Sequence, residues 1–251
     1  MLNIMKADLQ RIFRGKGIYL TGLTFIILMS LHVFGQSSVG NESLRYSGIN
    51  MPFYTLQITE NIAIALFFIL FFVIADDFMH GTIKNAVMSN YSRTRFYLSK
   101  ILTAYVLCVL LFIIHILSGT IFATLRHGFG GTIDVNWLME FIKPFSIQLL
   151  ILLALTCMGV ASVFIPKSAW GATVWFVGYV IAPATVIPLL GEIHEGFLRF
   201  YDFNLMTYLW DIGQFAQRSS YDLVRIISVS IAHIFITTMI GLLFFRKAEI
   251  K

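Results

Sequence analysis

The chain has 251 residues, 58% of them hydrophobic, 15% aromatic and only 12% charged, with a formal net charge of +5 and a mean hydropathy of +0.81. A soluble domain carries about a quarter charged residues, so a single water-facing globule is excluded and the chain belongs in a membrane. The positive charge does not mark a nucleic-acid binder, because the basic residues divide unequally between the two sides of the membrane, as set out below.

In chain order, the first element is residues 2–17. Leu2, Met5, Leu9, Ile12 and Phe13 fall near helical spacing, with Lys6, Asp8, Gln10, Arg11 and Arg14 on the remaining faces. An amphipathic helix lying in the membrane interface fits this pattern, with a frayed basic tail as the alternative. The Gly15-Lys16-Gly17 break then turns the chain into the bilayer.

A helix needs about 20 mostly apolar residues to cross a hydrocarbon core ~30 Å thick. Six runs qualify: 18–35, 56–75, 101–125, 145–164, 169–187 and 226–245. None alternates as a barrel strand does, so the expected fold is all-α, a polytopic membrane protein with six transmembrane helices in a single transmembrane domain. The basic residues before the first run resemble the start of a signal peptide. No small-residue cleavage site follows and five further runs do, so the first helix reads as retained.

Between the second and third runs lies "ADDFMHGTIKNAVMSNYSRTRFYLSK", residues 75–100. Gly81 breaks the descending helix and Thr82 caps a new one. Ile83, Val87 and Met88 then share a face over about two turns. Ser92 caps the next helix, with Arg93, Arg95 and Lys100 anchoring the third span at the lipid headgroups. Residues 81–89 read either as a short docking helix held beneath the membrane or as an ordinary interfacial loop helix.

Pro183 and Pro188 kink or end the fifth span. Beyond them, within an external interfacial segment over 191–222, "FLRFYDFNLMTYLWDIGQF" (197–215) suits a helix lying in, or dipping into, the outer interface. With six spans both termini share a side, which receives twelve of the eighteen basic residues and four of the thirteen acids. The termini are therefore expected in the cytoplasm of a multi-pass cell-membrane protein.

The basic amphipathic start "MKADLQRIFRGKGIYL", the six-span layout and "GTIKNAVMSNYSRTRFYLSK" together resemble the permease subunits of ABC-2 type ATP-binding-cassette exporters. Gly81, Thr82, Lys84, Ser92, Arg93 and Lys100 match the family's loose pattern at this loop. The acid usual just ahead of Gly-Thr is replaced by Met79-His80, with Asp76 and Asp77 further upstream. The resemblance implies that 81–89, through Gly81, Thr82, Ile83, Lys84, Asn85, Val87 and Met88, is a coupling helix that docks into a separate ATPase subunit. It further implies two ATPases, a second permease copy as homodimer or heterodimer, and a short re-entrant pair in the outer segment. Size and apolar spans are most similar to exporters of amphipathic peptides, such as those of bacitracin or lantibiotic immunity and of phenol-soluble-modulin export; drugs or lipids are the alternative cargo.

The chain has no G-x-x-x-x-G-K-[ST] phosphate loop, so ATP and its magnesium belong to the partner. The expectation is a transporter subunit, not an enzyme, with no cofactor, metal or catalytic residue of its own. The runs hold almost no carboxylates, which speaks against a proton-coupled carrier. Glu60 is the exception. The fifteen uncharged residues between it and Asp76 rise only ~22 Å, which places Glu60 inside the outer boundary beside Gln57 and Asn61. Gln57 and Glu60 then read as a contact for a cationic or amphipathic substrate, or Glu60 as a snorkelling or packed carboxylate. His115 and His233 lack a second ligand at metal spacing and read as interhelical hydrogen-bonding groups; Cys108 and Cys157 lie inside spans and imply no disulfide. An intramembrane enzyme or an assembly factor is the competing class; it would need converging polar residues in the spans.

Overall fold

The computed structural model describes residues 1–35, 46–58, 60–79, 92–210 and 220–247. The expected coupling helix at 81–89, including Thr82 as its cap, lies outside these residues. So do 211–219 of the external segment.

The described residues are predominantly helical, with no strand among them. α1 (Leu2–Arg14) ends at Gly15, whose backbone is extended and whose N–H reaches the Arg11 and Ile12 carbonyls. One residue therefore makes the break, and α2 (Lys16–Gly35) begins directly after it. α3 (Met51–Thr55) starts on a proline in its first turn and is closed by Leu56. α4 (Glu60–Leu70), a π-helical turn (Phe71–Ala75) and α5 (Asp76–Met79) follow without interruption. The second run therefore starts at Glu60 rather than at residue 56 and continues to Met79. Pro52 commits the residues before Leu56 to a separate helix.

α6 (Arg93–His127) and α7 (Val135–Phe164) span 35 and 30 residues, well beyond the apolar runs that announced them. Their ends explain the extra length. Ser92 Oγ accepts the Arg95 N–H at 3.3 Å, and Asp134 accepts the Trp137 N–H at 2.7 Å, so both helices start at side-chain caps several residues outside the apolar stretch. α8 (Trp170–Trp175), a second π-helical turn (Phe176–Ile181) and α9 (Ala182–Ile193) carry the fifth run. The path bends by 49° near Pro183 and then continues to Ile193, so the prolines bend this run instead of ending it. A 3₁₀ helix (Glu195–Phe203), α10 (Leu205–Trp210) and α11 (Ser220–Lys247) complete the chain.

Among the described residues four helices are long and apolar enough to cross a membrane, α2, α6, α7 and α11, and a fifth is reached if the bent pair after residue 170 is one span. α6 runs through the middle, packed against α1, α2, α3, α4, α7 and α11. In lipid, helices gain little from apolar burial and adhere by close packing and shared polar groups. Gly119 meets Thr55 and Met29, and Gly159 meets Leu70, so that α6 lies directly on α2 and α3 and α7 on α4. The hydroxyls of Thr103, Thr120, Thr156, Ser230 and Thr237 return to carbonyls four residues earlier in their own helices, which removes their need for a partner in hydrocarbon.

Part of the segment expected in the outer interface packs into the core. Leu205, Met206, Tyr208 and Leu209 of α10 are buried in the main apolar core. Asn204 Oδ1 accepts the Met206 N–H, and Tyr179 Oη in the second π turn accepts the Leu205 N–H at 3.1 Å. The preceding 3₁₀ helix instead exposes Leu198, Phe200 and Phe203.

Candidate functional site

Asp8, Arg11, Asp76, Asp77 and Lys100 converge on one cluster. Lys100, on the second turn of α6, is only 2% exposed. Its Nζ lies 2.7 Å from Asp8 Oδ1 on α1 and 2.5 Å from Asp77 Oδ2 on α5, and 5.1 Å from the centre of the Phe96 ring. Arg11 completes the set: its guanidinium reaches Asp77 at 2.6 Å, Asp76 at 3.3 Å and Asp8 at 3.7 Å. It also donates to the Phe72 carbonyl inside the first π turn, at 3.4 Å. α1 is thereby pinned to both helices that bound residues 80–91.

Lys100 therefore does not anchor at the headgroups. A lysine beside two carboxylates within the packed bundle gains more from pairing than from stretching to water. Asp8 is likewise displaced from the polar face expected for it. It lies four residues from both Ile4 and Ile12, on the stripe by which α1 packs, and Asp8 and Ile12 are the buried residues of that helix. That spacing is the signal by which sequence reading could have found it. Asp76 and Asp77, noted only as acids upstream of the loop, supply the descending half of the cluster.

Three carboxylates face two cations, and Asp8 Oδ2 is buried without a hydrogen-bond partner among the described residues. Burial pushes the Asp8 carboxyl above its usual 3.8; Lys100 opposes the rise and Asp77 adds to it. A group raised in the folded state holds its proton where the unfolded chain has released it. Its contribution to stability is full below pH 3.8 and is lost as pH rises through the raised value. Wild type should therefore gain stability relative to D8N as pH falls through that window, read from melting temperature against pH in detergent. Parallel curves would mean that folding leaves the proton affinity of Asp8 unchanged, and a loss relative to D8N at low pH would mean that Asp8 stays ionised.

The ascending root has a second tie. Arg93, in the first turn of α6, donates to the Arg246 carbonyl at 2.7 Å and to the Phe245 carbonyl at 3.4 Å. These belong to the last turn of α11, whose carbonyls have no helical partner and favour a cation. Ser92 is the cap expected of it. Of the residues expected to dock an ATPase, Gly81, Thr82, Ile83, Lys84, Asn85, Val87 and Met88 fall outside the described residues; the two roots that hold them do not.

The expected outer contact is less gathered. Gln57 is exposed in the link after α3, and Glu60 opens α4. Gln148 on α7 donates to the Leu56 carbonyl at 3.0 Å, tying the same link from within. His233 Nδ1 bonds the Val229 carbonyl of its own helix, four residues back, at 2.9 Å. His115 is fully buried, edge-on to Phe25. Among the described residues no three His, Cys, Asp or Glu side chains gather as a metal site. Cys108 and Cys157 are free and buried; Cys157 Sγ contacts Tyr105 Oη at 2.6 Å and Thr238 Oγ1 at 3.5 Å, joining α7 to α6 and α11.

No protein-family model matches the chain, nor does any curated protein sequence. The likeness to ABC-2 permeases is thus carried by the quoted residues alone.

Proposed function

We propose that this chain is the permease subunit of an ATP-driven exporter of the ABC-2 type. It crosses the membrane six times: through the four long helices, the bent pair after residue 170, and the continuous helical path over 60–79. α1 lies in the cytoplasmic interface, both termini are cytoplasmic, and 81–89 is the coupling helix on which a separate ATPase docks. Two permease copies enclose the path, two ATPases dimerise beneath them, and amphipathic peptides are the cargo, with Gln57 and Glu60 at its outer exit.

The observation that carries this function is the cluster of Asp8, Arg11, Asp77 and Lys100, reinforced by Arg93 on α11. A segment can transmit a push into the bundle only if its roots cannot slide independently. Here each root of 80–91 is tied to an interfacial helix or to a long span by charged contacts of 2.5–2.7 Å. Replacing residues 82–87 with a Gly/Ser linker leaves those roots intact, so the variant should insert and melt as wild type does but no longer copurify with a Walker-type ATPase. Undiminished copurification would remove the docking role.

A further inference from the structure

We propose that the first π turn, Phe71–Ala75, is a rotary latch. Arg11 holds it in the π register, and its release lets the descending root of 80–91 turn about its own axis by roughly one residue, ~100°.

The backbone shows where the latch bites. An α-helix would bond the Asp76 N–H to the Phe72 carbonyl, four residues back. Here it reaches the Phe71 carbonyl, five back, and the Phe72 carbonyl is passed over. Arg11 takes that carbonyl up: Nη2 donates to it at 3.4 Å, while Nη1 holds Asp77 at 2.6 Å and Asp76 at 3.3 Å. One side chain therefore bonds both the irregular turn and the acids immediately beyond it. The Phe72 ring is seated as well. A Cβ on Gly17 would come within 2.6 Å of that ring, so the glycine in the first turn of α2 gives it room.

A π turn is a surplus residue carried in an α-helix, and such turns concentrate at functional sites. The alternative register is close by. Five residues relaxing to α geometry turn everything after them by ~100° and lengthen the path by about 1.5 Å. In that register the Phe72 carbonyl returns to the Asp76 N–H, and Asp76 and Asp77 leave Arg11 and Lys100. The held register has the opposite set of bonds, including Lys100 to Asp77 at 2.5 Å. Each register excludes the bonds of the other, which makes two discrete states instead of a graded flexing. Across the seam, Phe176 opens the second π turn with its ring 5.2 Å from Phe67, so the path turns against a neighbour that is itself irregular.

The latch rests on the packing of α1 against the 60–79 path. That a push through 81–89 releases it rests on the function proposed above.

The test uses the full chain in lipid nanodiscs without an ATPase. Nitroxides on M79C and on a reference, R95C on α6 or L20C on α2, report the register of the root as two distances by double electron–electron resonance. Positions 79, 95 and 20 are exposed, whereas the native Cys108 and Cys157 are buried. Wild type should give one narrow distance for each pair. R11Q should add a second population, displaced by ~4 Å or more in at least one pair. R11K keeps a charge for Asp77, but its single ammonium has no fork with which to span to the Phe72 carbonyl; it should show the second population too. Deleting Val73 from R11Q removes the surplus residue, leaves nothing to relax, and should return a single distance. Two populations in wild type, one distance in R11Q, an R11K protein indistinguishable from wild type, or a second population that survives the Val73 deletion would each overturn the latch. Because no ATPase is present, none of these results bears on whether 81–89 docks one, and lost copurification in the linker variant leaves the latch standing.

Discussion

Replacing Lys100 with methionine will lower the stability of the folded chain by about 3–5 kcal/mol, the usual cost of stripping one partner from a buried ion pair. The side chain is 2% exposed and holds two carboxylates, Asp8 and Asp77, that are themselves 8% and 4% exposed. Methionine nearly fills the volume, so the loss comes from stranded charge and not from a cavity. The triple variant D8N/D77N/K100M removes the charges along with the cation and should recover most of the stability, because neutral groups of similar shape carry little desolvation cost. Equilibrium unfolding in mixed micelles measures both. A K100M protein that unfolds like wild type would show that the cluster contributes no net energy. A triple variant as weak as the single would show that Lys100 acts by packing against Phe96. On the proposed function, ATP-driven transport adds a readout that folding alone would not move. If the cluster fixes the roots of 80–91, the triple variant should bind the ATPase yet transport poorly, with ATP turnover uncoupled from cargo.

The second large effect is expected at Gly171. A Cβ built there would run into the Ser162 carbonyl oxygen and lie 2.7 Å from the Val163 Cα, both of them backbone atoms of the last turn of α7. Backbone cannot rotate aside as a side chain can. G171A must therefore lever α8 away from α7, at a cost of about 3 kcal/mol, the upper part of the range for overpacking. Gly178 provides the contrast, since nothing lies within 4 Å of its Cβ position. G178A should be neutral or stabilise slightly, because alanine is the better helix former. Thermal unfolding of the two variants side by side decides the matter; equal melting temperatures would mean that the α7–α8 junction yields more easily than its contacts indicate.

Much of this architecture was legible before any coordinates. Gly15 marks the end of α1 because glycine is a poor helix former, and Ser92 marks the start of α6 because its hydroxyl accepts the Arg95 N–H. Long apolar runs require helices because lipid offers backbone groups no other partner. Boundaries were less legible: a helix continues past the hydrocarbon for as long as caps and propensity allow, as α6 and α7 do. Two features left no periodic trace. The π turns at Phe71–Ala75 and Phe176–Ile181 each alter the register within an otherwise uniform apolar run. Pro183 signals a disruption without saying whether the chain stops or bends.

The sequence by itself determined that this chain is helical and lives in a membrane, for composition and run length are local quantities that the bilayer reads directly. Only the tertiary structure decided which charges meet. Asp8 and Lys100 stand 92 positions apart and Arg11 and Asp77 stand 66 apart, and no local pattern distinguishes a lysine bound for a headgroup from one bound for two buried carboxylates. The distinction depends on what the packing of α1 against α6 brings within 3 Å, and hence on how the helices are arranged in space.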